Sequence, residues 1–295
     1  MAEKIENWKK AGQIARDVSE YAKSIIQQGV SLSQITDLIE LKINELGAKP
    51  AFPVNLSINE TAAHYTPTAT DPSIAEGLLK VDLGVNYLGY LADTAFTIDL
   101  TPDHEYSELI KAAEDALGEA IKIIKPGITV SEIGAAIESK IRDKGYNPIR
   151  NLSGHEIKLW NLHAGLTIPN YNSNSGSKLK EGMIIAIEPF ATTGKGMVKD
   201  GRPSGIYKFI ANNPIRDTES RKILQHIMEN YATLPFAGRW IIDIFGNRAQ
   251  LALNMLQQQG ILYQFAHLNE SSNGMVSQAE HTILVTKNGC EVLTI

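Results

Sequence analysis

The chain contains itself twice. Residues 25–50 read IIQQGVSLSQITDLIELKINELGAKP and residues 123–148 read IIKPGITVSEIGAAIESKIRDKGYNP; at a constant offset of 98, eleven of the 26 positions are identical, among them Gly29, Glu40, Gly47 and Pro50. In each copy a glycine ends one helix and a hydroxyl residue two positions on, Ser31 or Thr129, is placed to cap the next. Apolar residues then recur at helical spacing until Gly47 or Gly145, with Pro50 or Pro148 beyond. The triplet Asn-Leu-Ser follows both copies, at 55–57 and 151–153. Further on, Glu76-Gly77 opens LLKVDLGV as Glu181-Gly182 opens MIIAIEPF, and DTAFTI at 93–98 resembles EHTILV at 280–285. Each half therefore reads as two helices followed by a strand pair with one acidic residue on each strand. Two such halves predict an α+β domain with a shared curved sheet, helices covering one face, and a site between the halves.

Residues 214–274 have no counterpart in the first half. They read as a helical, winged-helix-like insertion, with helices at 218–231 and 246–259 and LPFAGRWIIDI between them. The expected organisation is a catalytic domain of residues 1–213 plus 275–295 with an insertion subdomain at 214–274. Winged helices often bind DNA, but this segment carries five basic and five acidic residues, so the electrostatic footprint is missing. It reads as a structural wall. The whole chain, with 28 Lys and Arg against 33 Asp and Glu, has a net charge of −5, which argues against nucleic acid and anionic membranes as partners. One cysteine, Cys290, among 295 residues excludes an internal disulfide. With no apolar N-terminal core and no long apolar run, the expected location is the cytoplasm.

Chemistry concentrates in acidic residues on the strand pairs. In KVDLGVNYLGYLADTAFTI a symmetric turn over Asn86–Gly89 pairs positions that sum to 175, which sets Asp82 directly opposite Asp93, Cβ atoms roughly 4.5–5.5 Å apart. Two facing buried carboxylates require a proton or a cation between them, unless a bulge separates them. Glu188 in IIAIEPF and Glu280 in SQAEHTILV occupy the corresponding places in the second half, so a pseudo-twofold axis brings four carboxylates together. About two divalent cations neutralise four carboxylates. His64, His155 and His163 follow the repeat landmarks on connections leading to the acids. An oxygen-rich set with an imidazole suits Mn, Fe(II) or Co better than a structural zinc site. Such a pair of ions holds a hydroxide able to hydrolyse an amide or phosphate ester. The absence of a Gly-rich phosphate cradle, and the apolar Phe52, Leu162 and Phe190 near the landmarks, favour a peptide.

The set AFPVNLSINETAAHYTP, KVDLGV with DTA, NLSGH with LHAG, IEPF and EHT resembles that of the methionine aminopeptidases, over nearly the whole chain. The insertion between IEPF and EHT resembles the type II enzymes, and the short N-terminus their archaeal form. The resemblance implies the pita-bread fold and removal of the initiator methionine from nascent chains, with a small uncharged second residue. It implies metal ligands at Asp82, Asp93, His155, Glu188 and Glu280, the second and last bridging two divalent ions (Mn, Fe(II), Co or Zn). It implies Glu188 as general base toward a metal-bridging hydroxide, His163 at the oxyanion and His64 at the scissile amide nitrogen, with the methionine pocket at Phe52, Leu162, Ile206 and Phe265. The expected partner is the nascent polypeptide N-terminus near the ribosome, and the expected state is a monomer. Two residues depart from the family pattern: Ala279 stands where Phe is usual before EHT, and Phe265 where Tyr is common. Both are expected to alter pocket shape. The competing readings are an Xaa-Pro aminopeptidase or dipeptidase of the same fold, which usually carries a further N-terminal domain, and a non-catalytic binding homologue, which would have lost ligands.

Overall fold

The computed structural model describes residues 2–68 and 70–295. The first half runs α1 (Ala2–Ile25), α2 (Leu32–Glu45), β1 (Lys49–Ile58), β2 (Thr61–Ala63), β3 (Leu78–Tyr87) and β4 (Tyr90–Asp99). The second runs α3 (Ser107–Ile123), α4 (Val130–Asp143), β5 (Asn147–Pro148), β6 (Ser153–Ile157), β7 (Thr167–Pro169), β8 (Ile184–Ile187), β9 (Phe190–Thr192) and β10 (Val198–Phe209). After the segment α5 (Thr218–Asn230), β11 (Phe236–Ala237), α6 (Gly238–Phe245) and α7 (Ala249–Gln258), the chain closes with β12 (Leu262–Glu270), β13 (Val276–Gln278), β14 (His281–Thr286) and β15 (Gly289–Val292). Among the described residues no helix is long and apolar enough to cross a membrane.

The duplication is physical as well as textual. Gly29 and Gly127 have φ of 86° and 89°, and Gly47 and Gly145 have 78° and 81°, left-handed conformations that only glycine adopts at little cost. They turn the chain at the same two points of each copy. The buried residues of α2, Leu32, Ile35, Ile39 and Ile43, pack with the apolar side of α1 onto β3. Those of α4, Val130, Ile133, Ile137 and Ile141, pack with α3 onto β8 and β14. Capping differs between the copies. Thr129 forms a full capping box, accepting from the Glu132 N–H while the Glu132 carboxylate accepts from its own. Ser31 makes no side-chain cap bond and lies 2.9 Å from the Ser33 hydroxyl instead.

The shared sheet is a set of four ladders rather than one. The orders are β1-β3-β4, β11-β10-β12-β2, β13-β9-β5 and β15-β14-β8-β6-β7. The first and last meet at a single bridge between Ala95 and Glu280. Hydroxyls fasten that seam: the Thr94 side chain donates to the Glu280 carbonyl at 2.9 Å, and the Thr282 side chain donates to the Asp93 carbonyl at 2.8 Å.

Three further expectations are corrected. The β3–β4 hairpin turns on two residues, not four, with Tyr87 paired to Tyr90. Leu88 and Gly89 have φ of 56° and 90°, as a type I′ turn demands. Asp82 consequently pairs with Ala95 and Asp93 with Gly84. The two aspartates are diagonal neighbours on one face, a separation of roughly 7–8 Å in an antiparallel pair. In the insertion, GRWIIDIF forms a third helix, α6, where a link with a β-wing was expected. Its helices bury their own core around Ile223, Ile227, Phe236, Ile241 and Leu253. Finally, β12 returns to the ladder of β10 and β2, so the packed insertion ends near residue 261, short of 274.

Leu88 occupies a left-handed turn position with 70% of its surface exposed. The left-handed conformation costs an ordinary L-residue roughly 1–2 kcal/mol, less for Asn. Leu88→Asn should therefore stabilise the fold by up to about 1 kcal/mol, read as a rise in the urea unfolding midpoint.

Candidate metal centre and substrate cavity

One cavity of about 240 Å³ gathers the expected ligands and substrate-contacting residues: Asp82, Asp93, His155, Glu188, Glu280, His64, His163, Phe52, Leu162, Ile206 and Phe265. They come from distant elements. Asp82 and Asp93 project from the hairpin, His155 from β6, Glu188 from the residue after β8 and Glu280 from the residue before β14. The second half reaches the site because β8 and β14 pair antiparallel, and the Ala279 N–H continues that register to the Pro189 carbonyl at 3.2 Å. Gly84, opposite Asp93, leaves room for a wall: a Cβ there would stand 2.3 Å from the Phe52 ring.

Asp93, His155 and Glu280 each offer a ligand atom within 4.8 Å of the others. His155 Nε2 lies 3.5 Å from Asp93 Oδ2 and 3.8 Å from Glu188 Oε1. Asp82 and Glu280 are joined by a residue that pattern reading missed. The Gln278 side-chain amide faces Asp82 Oδ2 at 3.3 Å and Glu280 Oε2 at 3.4 Å. The signal was available, since residues two apart on an extended strand share a face and Gln278 precedes Glu280 by two. Asn55 and Asn151, the first residues of the two Asn-Leu-Ser triplets, also line the cavity.

The electrostatics are those of a cation site. Burial pushes Asp93 up to about 7. Burial, then the Asp93 charge, raises Asp82 and Glu188 well above the carboxylate range. Glu280 is raised by burial, then by Asp93, Glu188 and Asp82. Burial lowers His155 to about 4, so its imidazole is neutral and free to ligate. Asp82 Oδ1 and Asp93 Oδ1 are buried with no hydrogen-bond partner. Buried orphan oxygens on carboxylates are costly unless a cation or proton occupies them. The donor set, four carboxylates and a neutral imidazole, fits divalent metal.

The remaining wall is mixed. His64 sits at φ 63°, a left-handed strain that persists where surrounding structure imposes it. Its ring meets Phe265 edge-on at 5.2 Å, and burial lowers it to about 4. His163 stacks obliquely on His155, ring centres 4.3 Å apart. Phe265 is in the wall as expected. Ala279 is not: it lies in the second-half core, 5% exposed, and does not line the cavity. His281, next to Glu280, points away and pairs its Nδ1 with the Thr294 hydroxyl at 2.8 Å.

The sequence pattern of metallopeptidase family M24 matches residues 6–287. The chain belongs to that family. A methionine aminopeptidase of Methanocaldococcus jannaschii is 47% identical over 98% of this chain and 99% of its own length. Among solved structures, a methionine aminopeptidase from Rickettsia prowazekii superposes with a TM-score of 0.72 at 21% identity, covering 100% of this chain and 98% of that one. A prolidase from Pyrococcus furiosus superposes at 0.65 and 22% identity, but this chain spans only 64% of it. The fold is the pita-bread arrangement of duplicated halves, and this metallopeptidase carries it on both.

Without metal, the stability should depend on pH with a definite sign. The raised carboxylates bind more protons folded than unfolded, so stability falls as pH rises from their unfolded values through their folded ones. The lowered histidines act oppositely, but only below about pH 6.5, the ordinary histidine value. Above that, the four carboxylates set the sign, opposed by the single buried Lys80, whose ammonium burial lowers well below the ordinary lysine value. The chelated protein should lose thermal stability from pH 6.5 to 9, and added Mn²⁺ or Co²⁺ should restore it. With Lys80→Met in place to remove the opposing ammonium, a flat or rising melting temperature for the chelated protein would show that the four acids are not held together unmetallated.

Proposed function

We propose that this chain is a dinuclear methionine aminopeptidase, removing the N-terminal methionine of nascent proteins whose second residue is small and uncharged. The observation that carries the reading is the convergence of four carboxylates and a neutral imidazole in one cavity that also holds two further histidines and the apolar Phe52, Leu162, Ile206 and Phe265. Four buried negative charges call for about two divalent ions, which Asp82, Asp93, His155, Glu188 and Glu280 would hold between them. Mn, Fe(II), Co and Zn all suit such donors. The cytoplasm as location, nascent N-termini as partners and a monomeric state belong to the same reading.

When bound, the metal pair supplies a water acidic enough to attack a peptide bond at neutral pH. The residues do the rest. A cavity of about 240 Å³ lies just below the roughly 300–1,000 Å³ of ligand sites in general, which suits a single terminal residue. A free α-amine, unlike an acylated one, keeps a lone pair and N–H groups to offer to the metal-holding end of the cavity. Phe52, Leu162, Ile206 and Phe265 enclose an unbranched, flexible thioether side chain, which adapts well to an irregular apolar wall. Glu188, a carboxylate lining the cavity beside His155, would take a proton from the attacking water and pass it to the leaving amine. His163 is placed to donate to the oxyanion and His64, neutral by burial, to hydrogen-bond the scissile nitrogen.

Glu188→Gln should preserve the fold and much of the metal binding, yet lower kcat by at least about 100-fold, because an amide cannot accept the proton. Turnover near wild type in a methionine-release assay would remove Glu188 from the base role. With Mn²⁺ or Co²⁺ present, Met-Gly and Met-Ala peptides should be cleaved and formyl-Met-Ala should not, since formylation converts the free amine into an amide whose nitrogen lone pair is delocalised. Equal rates on formylated and free peptides would sink the amine-anchored mechanism.

A further inference from the structure

Glu40 is one of the positions identical in the two copies, yet the metal site leaves it unused. Its counterpart Glu138 is half-buried and is met by solvent-exposed partners, Arg142 at 3.1 Å, Arg150 at 3.5 Å and the Asn172 N–H at 3.1 Å. Glu40 is buried, and four donors converge on its carboxylate. Arg239 grips it with both guanidinium nitrogens, Nη2 to Oε1 at 2.5 Å and Nη1 to Oε2 at 3.2 Å. The Trp240 indole donates to Oε2 at 2.8 Å, and the Val54 N–H reaches Oε1 at 3.4 Å.

Each donor belongs to a piece of the cavity wall. Val54 sits in the β1 bulge, where the register shifts between Phe52↔Gly84 and Asn55↔Asp82, and both Phe52 and Asn55 face the cavity. Arg239 and Trp240 form the first turn of α6, directly after β11, whose Ala237 pairs with Ile206. Pro235, immediately before β11, lines the cavity as Ile206 does. A stack of rings ties the same node inward, Trp240 on Tyr231 at 5.5 Å, Tyr231 on Phe236 at 5.2 Å and Phe236 on Tyr207 at 5.9 Å. The ion pair has side chains only 9% and 11% exposed. Burying such a pair gains little stability over an apolar replacement, so what it contributes is geometry. Burial itself pushes Glu40 upward, with Arg239 pulling the other way.

We propose that Glu40 is a positioning residue for the first-residue pocket: one buried carboxylate that holds the bulge carrying Phe52 to the insertion carrying Pro235 and backing Ile206, and so sets which side chain the pocket accepts. This rests on the aminopeptidase reading. An apolar pocket discriminates by roughly 10–200-fold per methylene when its walls are fixed, and loses that when they relax. Glu40→Gln keeps the side chain's size but leaves Arg239 without its counter-charge. The expected result is a fall of about tenfold in the kcat/KM ratio of Met-Ala-Ser over Leu-Ala-Ser, carried mainly by KM. Calorimetric affinity for Mn²⁺ should stay at the wild-type value, since Glu40 touches none of the acids or imidazole. Arg239→Lys, which keeps the charge and loses the fork, should shift the ratio in the same direction by less. Glu138→Gln should leave it unchanged. A wild-type ratio in Glu40→Gln with only a lowered melting temperature would overturn the proposal, and if that variant does not fold, an unchanged ratio in Arg239→Lys does so. A wild-type protein that releases no amino acid from any peptide overturns the aminopeptidase reading and this inference with it. Methionine release by the wild type with no change in ratio overturns the inference alone.

Discussion

Four carboxylates are forced together in the interior, and the molecule is organised around the cost of keeping them there. Asp82, Asp93, Glu188 and Glu280 are each raised above the ordinary carboxylate range, chiefly by burial. Left alone they would drive the halves apart or stay protonated. What resists is the packing of each half on its own helices, and the hydroxyl-fastened seam between β4 and β14. Thr282 both accepts from the Asp93 N–H at 2.7 Å and donates to the Asp93 carbonyl, so the strand that carries one acid is tied to the strand beside another. Repulsion confined by that framework is the affinity for divalent metal.

Duplication explains how so many acids meet without a long-range coincidence. Each half delivers one strand pair, and the pseudo-twofold relation brings the pairs together. Identical residues have since taken different work. Thr129 caps a helix that Ser31 does not, and half-buried Glu138 pairs with exposed Arg142 and Arg150 while its twin Glu40 is buried against the insertion. The asymmetry arises because only one half is covered by the insertion, which turns a surface position into an interior one.

The insertion gives the cavity its outer wall. Its three helices bury a core of their own, and the extended residues on either side, β10 and β12, carry Ile206 and Phe265 to the site. From the Phe265 ring the contact continues outward to Tyr263 at 5.1 Å and inward to His64. Wall shape is thus decided on one side by the insertion and on the other by the bulge of β1, while the metal end belongs to the duplicated halves.

Much of this was written in the sequence, because it depends on neighbours a few residues apart. The repeat, its glycine turns, the alternating strands and the acids upon them are local patterns, and together they pointed to the four carboxylates and three histidines that the cavity gathers. The tertiary structure decided what local pattern leaves open. The hairpin register shifted because Leu88, an unusual residue for a left-handed position, takes the turn that Asn86 and Gly89 were expected to frame. GRWIIDIF became a helix because its apolar face has α7 and the ring stack to pack on. Ala279 left the pocket because its strand turns it into the second-half core. The joining of Gln278 to two acids from different halves, and of Glu40 to Arg239 across 199 positions of chain, exists only once the halves and the insertion have docked. Short-range periodicity determines elements; which buried polar group meets which is settled by three-dimensional packing.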